Sequence, residues 1–509
     1  MAALIDVLVI GAGPTGLMLA NQLARHGVRV RIIDRHAGPA RETRALGVHA
    51  RTLEIYAALG IAEQAIAEGA KATALDLWSQ GRLAARVPLG DIGRDLSAFP
   101  YVLILGQDAN ERLLGERLRE QGVDVEWRTE LVALAQHADQ VTASVRLPDG
   151  SSRNLEARWI AGCDGAHSAV RELNRIGYPG APYEHVFFVA DTEASGPMVE
   201  GELNIFFWRG GFHLFFPMRG ERRWRVVGIV PEAFRSEPVD RGRVLDAVRR
   251  EVGQALDFTA CHWFSTYRIH HRRAERFRDG RAFLLGDAAH IHSPVGAQGM
   301  NTGLQDAYNL GWKLALVAKG QAGEALLDSY AIEREPVADR LLATTDRAFT
   351  FALSERGVSR LLRTRVLPRL VAFAMRSRRV RRLAFRTVSQ IAIEYRASPL
   401  SLTLPGVPPN GPRAGERFPW LRTVWQRLDD RVFNLLVVGQ PMPQGIDSER
   451  LRVHRVGDEV ADRADLLSAA IAVPSFWLLR PDGHVGLCGT AVDRGAVERY
   501  FAEHLHVAM

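Results

Sequence analysis

A glycine-rich turn near the start of the chain is the feature that most limits what this sequence can fold into. Residues 6–10 (DVLVI) form an apolar run typical of a strand buried in a parallel sheet, and Gly11-Ala-Gly-Pro-Thr-Gly16 follows directly. Residues 14–25 have the pattern of a helix, and residues 28–33 that of a second strand. This spacing predicts a strand–helix–strand unit. Its glycines allow a tight turn, and its helix N-terminus binds the phosphates of a dinucleotide.

An acidic residue and two later segments extend this prediction. Asp34 ends the second predicted strand, where an acid accepts the hydroxyl groups of a ribose. Cys163-Asp-Gly-Ala-His-Ser-Ala-Val-Arg171 follows one apolar run, and Gly286-Asp-Ala-Ala-His290 follows another before residues 294–306. Taken alone, Asp164-Gly165 is better explained as a turn, and Gly286-Asp287 could be only a strand end with a helix cap. Their occurrence in this order predicts that three distant turns bind one nucleotide.

The pattern of apolar residues divides the chain into several parts. Residues 177–272 alternate short apolar segments with turns, which predicts an antiparallel sheet, and short strands within residues 75–105 are candidates to join it. A Pro/Gly-rich linker precedes a last module in which strands alternate with helices. The predicted fold class is α/β. The predicted domains are 1–176 as the first part of a nucleotide-binding domain, 177–272 as a substrate-binding sheet domain, 273–400 as the second part of the nucleotide-binding domain with long helices, and 413–509 as a small C-terminal domain.

Composition excludes several classes of protein. The chain has no run of about 18 uncharged apolar residues, and its N-terminus lacks the pattern of a signal peptide. We therefore predict no membrane span and a cytoplasmic location. The three cysteines, Cys163, Cys261 and Cys488, are far apart and accompany no histidine cluster. Neither a disulfide framework nor a metal site is predicted.

Arginine supplies nearly all of the positive charge. Of the 65 basic residues, all but Lys71, Lys313 and Lys319 are arginine, and twelve arginines fall within residues 351–400. No nucleic-acid-binding motif accompanies them, so we predict no nucleic-acid partner. We interpret them as side chains whose stems lie along helices and whose charged groups are solvated. A basic surface would also favour the binding of NADPH or a nucleotide flavin.

Over nearly its whole length the chain resembles the class A flavoprotein monooxygenases, the p-hydroxybenzoate hydroxylase-like aromatic hydroxylases. It is most similar to the phenol- and polyketide-hydroxylase branch, which carries a C-terminal thioredoxin-like domain. Further segments carry the resemblance besides the three above, and they are residues 44–54, 107–111, 311–314 (GWKL), 330–336 (YAIEREP), 394–395 and 480–483 (RPDG). The resemblance implies a Rossmann-like FAD-binding domain, an antiparallel-sheet substrate domain and a thioredoxin-like domain. That last module has no CxxC sequence, so dithiol exchange is excluded.

The resemblance also implies which residues contact FAD. These residues are Gly11, Gly13, Pro14, Thr15, Gly16, Asp34, Arg35, Arg44, Gln107, Leu131, Asp164, Asp287, Pro294, Gly299, Met300 and Asn301. Many relatives have glutamate where this chain has Asp34, which shortens the reach to the ribose. The backbone N–H groups of Gly299, Met300 and Asn301 are expected to face the pyrimidine edge of the flavin ring. Donors placed there stabilise the anionic reduced flavin.

The implied reaction uses NADPH or NADH to reduce FAD, and O2 then gives a flavin C4a-hydroperoxide that hydroxylates a phenolic or polycyclic aromatic substrate. Arg44, Pro294 and His213 are the candidate catalytic residues, and Trp208, Phe212 and Phe215 are the candidate substrate-binding residues. Adjacent residues of a strand point to opposite faces of the sheet, and the sequence does not show which face lines the pocket. The implied partners are the aromatic substrate, O2 and NAD(P)H, with the chain a monomer or homodimer.

Alternative functions remain open at this point. A related enzyme could carry out Baeyer–Villiger oxidation, epoxidation or attack on an antibiotic. A flavin halogenase is disfavoured because no Trp-x-Trp-x-Ile-Pro stretch is present. A flavin-binding interaction protein without turnover is a further alternative, disfavoured by the intact segment 294–306. Asp482-Gly483 is interpreted as a turn.

Overall fold

Four β-sheets and the helices packed on them organise the chain. The computed structural model describes residues 4–40, 45–79, 81–90, 92–208, 210–234, 239–253, 256–293, 296–353 and 366–506. The strands are β1 Ile5–Ile10, β2 Val30–Asp34, β3 Gly47–Val48, β4 Ala70–Ala72, β5 Ala74–Ser79, β6 Arg82–Pro88, β7 Val102–Ile104, β8 Val125–Trp127, β9 Glu130–Gln136, β10 Val141–Arg146, β11 Ser152–Gly162, β12 Gly180–Ser195, β13 Leu203–Trp208, β14 Gly211–Pro217, β15 Arg223–Ile229, β16 Asp257–Arg273, β17 Arg278–Asp279, β18 Ala282–Leu284, β19 His290–Ile291, β20 Leu402–Thr403, β21 Phe433–Val438, β22 Leu451–Val456, β23 Ser475–Leu479 and β24 Val485–Gly489. The α-helices are α1 Pro14–Arg25, α2 Ala50–Leu59, α3 Ala62–Glu68, α4 Gln107–Glu120, α5 Ala169–Leu173, α6 Arg241–Val252, α7 Gly299–Ala318, α8 Asp328–Leu353, α9 Leu367–Ala374, α10 Arg378–Val388, α11 Arg422–Trp425, α12 Val460–Ser468 and α13 Arg494–Tyr500.

The first sheet has a parallel core built around β1. Its strand order is β17-β18-β11-β1-β2-β8, and β10 pairs with β11 and β9 beside this path. β1 is parallel to both of its neighbours, with Val7 opposite Trp159 of β11 and opposite Val30 of β2. All residues of β1 from Asp6 to Ile10 are buried, as expected for a strand covered on both faces. The carboxyl ends of β1, β11 and β18 consequently lie at one edge of the sheet.

The second sheet is largely antiparallel and has the order β19-β16-β12-β15-β14-β13-β5-β6. β5 joins it through a parallel pairing with β13, and β6 pairs with β5, so residues 74–88 are part of this sheet. Helix α6 covers one face, where Val244 and Val248 pack with Phe188 and Val226. The other face carries a separate apolar cluster that includes Phe187, Phe212, Ile229 and Ile269.

A small third sheet has the strand order β3-β7-β4. Leu46, Ala72 and Ile104 form an apolar cluster there, and Leu203 and Phe216 of the second sheet pack against it. Phe216 lies on the same side of β14 as Phe212, because every second side chain of a strand points to the same face and these two are four residues apart. The Phe212 face of the second sheet is therefore the face that the small sheet contacts.

The last module is a five-stranded mixed sheet with the order β20-β24-β23-β21-β22. β21 is parallel to β22 and antiparallel to β23. Ion pairs attach this module to the rest of the chain: Arg25 with Asp430 at 2.6 Å, Glu54 with Arg417, and Glu333 with Arg480 at 2.6 Å. The Arg480 and Glu333 side chains are fully buried. The module is thus held by buried polar contacts as well as by the linker.

None of the helices in the described ranges combines the length and apolar character needed to cross a membrane.

Candidate functional site

The glycine-rich turn lies where β1 ends and α1 begins. Gly11 has a φ of 99°, and a Cβ added to it would lie 2.5 Å from the carbonyl oxygen of Cys163. A Cβ added to Gly16 would lie only 1.9 Å from the carbonyl oxygen of Gly11. Helix α1 starts with Gly13 as its N-cap and Pro14 in its first turn, without a side-chain cap. The turn therefore leaves the N-terminal end of α1 open to a phosphate.

The three signature segments of the sequence meet around this turn. The Cys163 N–H donates to the carbonyl of Ile10 at 2.8 Å, which brings the second segment against the first. The Thr15 side chain lies against Gly286 of the third segment and against Gly303 of α7. Arg171 donates to the carbonyl of Ala288 at 3.0 Å and so joins the second segment to the third.

A cleft of about 1140 Å³ opens beside the glycine turn. Several residues that the sequence assigned to the cofactor line it, and these are Gly11, Gly13, Asp34, Arg35, Gln107, Leu131, Asp164 and Asp287. Pro14, Thr15 and Gly16 lie in the first turn of α1 behind the lining. Glu111 also lines the cleft and accepts hydrogen bonds from Gln107 at 2.8 Å and from the Ala40 N–H at 2.9 Å. Burial raises the pKa of Glu111.

Asp34 has a second task besides lining the cleft. Its Oδ2 accepts the Ala12 N–H at 2.7 Å, and its Oδ1 accepts the His36 N–H at 2.8 Å. The carboxylate thereby ties the end of β2 to the glycine turn. His36 Nδ1 also lies 2.8 Å from Oδ1. A carboxylate has about four lone-pair sites, so Asp34 keeps the capacity to accept a ribose hydroxyl group.

Asp164 shapes the second segment. Its Oδ1 accepts the Ser168 hydroxyl at 2.5 Å, and its Oδ2 accepts the Ala169 N–H at 2.7 Å. Ser168 in turn caps α5 by accepting the Arg171 N–H at 3.1 Å. Burial raises the pKa of Asp164 although these bonds oppose the shift. The Asp-Gly pair is therefore a turn and a helix-capping element at the wall of the cleft.

Asp306 of α7 is a buried carboxylate that accepts hydrogen bonds from the third segment, and the sequence analysis assigned it no role. It accepts the Gly286 N–H at 3.0 Å, His290 Nε2 at 2.8 Å and Arg334 Nε at 2.7 Å. Burial acts to raise the pKa of Asp306, but Arg334 and His290 outweigh it and lower the pKa. These bonds fix the Gly286–Asp287 turn at the cleft. Two features of the sequence could have indicated this site. They are the acid at the end of segment 294–306, which is Asp306, and the arginine within YAIEREP, which is Arg334.

Hydrogen bonds of the Asn301 side chain fix the position of the start of α7. Its side-chain oxygen accepts the His49 N–H at 2.9 Å, and its amide donates to the carbonyls of Gly47 and Ala297, both at 2.8 Å. The N–H groups of Gly299, Met300 and Asn301 belong to the first turn of α7 and have no partner within that helix. These three residues do not line the cleft; they lie at the side where β3 and the loop before α7 meet.

His49 clamps the loop that precedes α7. It is the N-cap of α2, and its Nε2 lies 2.9 Å from the carbonyl of Gly296 and 3.1 Å from that of Ala297. Both partners are acceptors, so this nitrogen carries the proton of a neutral imidazole. Burial lowers the pKa of His49 to about 4.

This shift predicts that acid destabilises the loop. The unfolded histidine takes up a proton near pH 6.5, whereas folded His49 resists protonation until about pH 4. The unfolded state binds more protons in that window, so stability falls as the pH falls. Between about pH 7.5 and pH 5 the wild type should lose about 2 kcal/mol more stability than His49→Gln, which keeps an N–H donor but does not titrate. Chemical denaturation of both proteins at the two pH values measures the difference, and equal losses would contradict it.

The structure orients the candidate substrate residues. Phe212 lies on the face that the small sheet contacts, with Phe187 and Ile229. His213 and Phe215, both candidate site residues, lie on the opposite face, which α6 covers, because adjacent strand residues alternate. His213 Nε2 bonds Glu251 of α6 at 2.6 Å. Trp208, also a candidate, stacks on His213 with the ring centroids 5.6 Å apart and so lies near that side.

Two predicted catalytic residues, Arg44 and Pro294, lie outside the described residues. Within the described ranges no group of three or more His, Cys, Asp and Glu side chains is arranged to hold a metal ion. The described site therefore consists of a nucleotide-sized cleft, and the apolar face around Phe212 is a separate feature of the second sheet.

Comparison with known proteins gives matches along the chain. The sequence profile of the FAD binding domain family matches residues 4–345. The 6-methylpretetramide 4-monooxygenase of Streptomyces rimosus is 36% identical over 95% of this chain and 90% of its own length. A rifampicin monooxygenase of Streptomyces venezuelae is 34% identical over 95% of each chain. The crystal structure of aklavinone-11 hydroxylase with FAD and aklavinone superposes with a TM-score of 0.82, at 25% identity and full coverage of both chains.

Proposed function

The chain belongs to the FAD binding domain family and is an FAD-dependent monooxygenase. We propose that it hydroxylates a phenolic or polycyclic, polyketide-like aromatic compound with O2 and NADPH or NADH. One observation carries the proposal. The three signature segments meet in one nucleotide-sized cleft, and the second sheet carries a separate apolar, aromatic-rich face that includes Phe187 and Phe212. Such a face suits an aromatic ring that must be sheltered from water next to a flavin.

The residues present fit FAD. A Cβ at Gly11 or Gly16 would occupy the space that the tight turn needs, so the chain keeps glycine where a pyrophosphate approaches the backbone. The open end of α1 would hold the pyrophosphate, Asp34 the adenosine ribose, and the region of Asp287 the ribityl phosphate. His167 lines the cleft and lies near His270, and Arg268 and Arg272, which also lie near His270, add positive potential for the phosphates. Bound FAD would accept two electrons from the reductant and activate O2.

Electron balance supports an external reductant. Hydroxylation places one oxygen atom of O2 in the product and reduces the other to water, which requires two electrons and two protons. The last module has no CxxC sequence that could supply them as a dithiol. We therefore assign this role to NADPH or NADH.

The protein's own contribution is positioning and exclusion of water. The Phe212 face would hold the aromatic ring by apolar and edge-to-face contacts. Asn301 and His49 fix the start of α7, whose first N–H groups would face the flavin ring. Donors fixed in advance stabilise developing negative charge without reorganisation.

The last module has a structural role in this proposal. Its sheet order, with β21 between β22 and β23, supports a thioredoxin-like fold. Its cysteine, Cys488, is buried, and burial raises the pKa of the thiol, which disfavours the reactive thiolate. Packing against the FAD-binding body is the assigned role.

The experiment that tests the function uses the purified protein. We expect a yellow protein whose flavin NADPH or NADH reduces, faster in the presence of phenols or polycyclic aromatic compounds. Product formed under ¹⁸O2 should gain one labelled oxygen atom. A protein that binds no flavin, or whose flavin no pyridine nucleotide reduces, would contradict the proposal.

Attack on an antibiotic is a second candidate, because a rifampicin monooxygenase matches 95% of the chain. Including rifampicin in the same substrate panel distinguishes the two functions. Stimulated flavin reduction by rifampicin alone would favour this second candidate.

A matched pair of variants tests the substrate face. Phe212→Leu removes an aromatic ring from the proposed face, and we expect the Kd of the aromatic substrate to rise about three- to tenfold. Phe215→Leu makes the same change on the face that α6 covers and should leave that Kd unchanged. Titration of flavin fluorescence with substrate measures both. A larger effect at Phe215 than at Phe212 would reverse the assignment of the two faces.

A further inference from the structure

The last module contacts helix α8 beside a residue that holds the Gly286–Asp287 turn at the cleft. Glu333 of α8 accepts a hydrogen bond from Arg480 of the last module at 2.6 Å. Arg334, the next residue of α8, donates from Nε to Asp306 at 2.7 Å, and Asp306 accepts the N–H of the turn at 3.0 Å. These four side chains are fully buried. One short stretch of α8 therefore contacts both the last module and the carboxylate that fixes the turn.

Arg334 binds two further partners through its other nitrogens. Nη2 donates to the carbonyl of Thr302, in the first turn of α7, at 3.2 Å. Nη1 donates to the hydroxyl of Tyr395 at 2.9 Å. A buried charged donor that loses its acceptor costs free energy. The position of Tyr395 therefore affects Arg334, and through Arg334 it affects Asp306 and the start of α7.

Tyr395 is in turn held in place by the last module. Its N–H donates to the carbonyl of Gly415 at 2.7 Å, and the Gly415 N–H donates to the carbonyl of Val485 in β24, also at 2.7 Å. The Tyr395 ring packs against the His484 ring, with the ring centroids 4.4 Å apart. A Cβ added to Gly415 would lie 2.6 Å from the backbone nitrogen of Arg396, so the two segments are in close contact. The hydroxyl that accepts the guanidinium on α8 is therefore positioned by β24 and the residue before it.

Helix α2 provides a second connection between the last module and the start of α7. At the N-cap of α2 the His49 N–H donates to the side-chain oxygen of Asn301 at 2.9 Å. Arg51, which follows two residues later and is buried, donates to the carbonyl of Asp482 in the last module at 2.5 Å. The last module thus contacts both helices next to residues that fix the loops around the cleft.

We propose that Tyr395 is a positioning residue for FAD, through which the docked last module holds Arg334 and the Gly286–Asp287 turn in the arrangement that binds the cofactor. Docking of the module and binding of FAD then strengthen each other, because a coupling between two sites is reciprocal. This role goes beyond packing of the module against the FAD-binding body. The inference rests on FAD binding and is independent of which substrate is hydroxylated.

A matched pair of tyrosine variants tests this role. Tyr395→Phe removes the hydroxyl that accepts Arg334 and keeps the ring on His484. Tyr500→Phe removes a hydroxyl of the last module that is also buried and that donates to the carbonyl of Leu400 at 2.8 Å. Both variants should have a lower thermal midpoint than the wild type. Only Tyr395→Phe should raise the Kd for FAD, by about three- to tenfold, with a change of less than about twofold in Tyr500→Phe. Titration of the flavin-free proteins with FAD, followed by flavin fluorescence, measures both values.

Hydrogen–deuterium exchange of β23 and β24 tests the reciprocal effect and can be measured on the wild type alone. Below the unfolding transition, where exchange reports local opening, FAD should slow this exchange by at least about fivefold. In Tyr395→Phe the slowing should be smaller by the same factor as the loss of FAD affinity. Unchanged exchange in the wild type overturns the inference. Unchanged FAD affinity in folded Tyr395→Phe, or equal losses in the two variants, also overturns it. A protein that binds FAD but hydroxylates no aromatic compound contradicts the proposed function and leaves this inference intact.

Discussion

Gly16→Ala should purify with little FAD and should bind added FAD at least about a hundredfold more weakly than the wild type. The new Cβ would lie 1.9 Å from the carbonyl oxygen of Gly11. That neighbour is backbone, so either α1 or the end of β1 must move. The movement displaces the N–H groups that would face the pyrophosphate, and each charge-assisted bond lost costs about 1.5–3 kcal/mol. Two such bonds correspond to the expected hundredfold loss.

Flavin fluorescence quenching on titration of the flavin-free protein measures this affinity. Gly115→Ala is the matched control, because Gly115 lies within α4 and a Cβ added there would meet no atom within 4 Å. That substitution should leave FAD binding unchanged and stabilise the helix by about 0.5–1 kcal/mol. If Gly16→Ala binds FAD within threefold of the wild type, the glycine turn does not hold the pyrophosphate.

The strand–helix–strand unit around this turn could be predicted because short-range chemistry sets it. Helix α1 begins at Pro14 and ends at Arg25, as the sequence pattern indicated. Proline in the first turn and a periodic apolar face act within a few residues. β2 starts at Val30, two residues later than the apolar run, because its pairing with Val7 of β1 fixes where the ladder begins. The mixed α/β class followed from the same local patterns.

The orientation of the second sheet could not be predicted. Alternation in β14 separates Phe212 from His213 and Phe215 whichever face is turned towards the flavin. The choice depends on α6 covering one side and on the Leu46–Ile104 cluster contacting the other. These elements are distant in sequence from β14. The pairing of His213 with Glu251 likewise became visible only when α6 was placed.

The buried contacts of the polar residue Asp482 could not be predicted from the sequence either. The Asp-Gly pair predicted a turn, and Gly483 has a φ of 73°, as such a turn requires. The Asp482 side chain, however, is 2% exposed and pairs with Arg480. Glu333, which bonds the same arginine, lies 147 residues earlier in the chain. The available signal was that YAIEREP and RPDG both contribute to the family resemblance, but nothing local indicated that they meet.

Glu333→Ala should lower the free energy of unfolding by about 3–5 kcal/mol, the expected cost of breaking a buried ion pair from one side. Glu333 accepts hydrogen bonds from Arg480 at 2.6 Å, Lys313 at 2.7 Å and Ser398 at 2.6 Å. Burial opposes the ionised form, but Arg480 and Lys313 lower the pKa of Glu333 to about 2. The variant leaves Lys313 without its carboxylate in a fully buried site. Since Arg480 belongs to the last module, we expect that module to unfold first.

The pKa of Glu333 also sets the pH range over which this residue contributes to the free energy of unfolding. The folded value lies below the unfolded value of 4.5, so the stability is present above that pH and is lost as the pH falls towards 2. The difference between wild type and Glu333→Ala should therefore shrink over that window. Urea unfolding followed by circular dichroism, with limited proteolysis to detect release of the last module, measures both effects.

A double variant distinguishes an uncompensated charge from the loss of favourable contacts. Lys313→Met/Glu333→Leu removes a cation together with the anion, and Arg480 keeps its pairing with Asp482. Replacing a buried ion pair by apolar residues of similar size is often nearly neutral, so the double variant should regain at least about half of the lost stability. Asp328→Ala removes an exposed partner of Arg278 from the same helix and should cost less than about 1 kcal/mol. If the double variant instead lost the sum of the stabilities lost through its two single substitutions, Lys313 and Glu333 would not be coupled. The cluster of Lys313, Glu333 and Arg480 would then not act as the buried electrostatic link between the FAD-binding body and the last module.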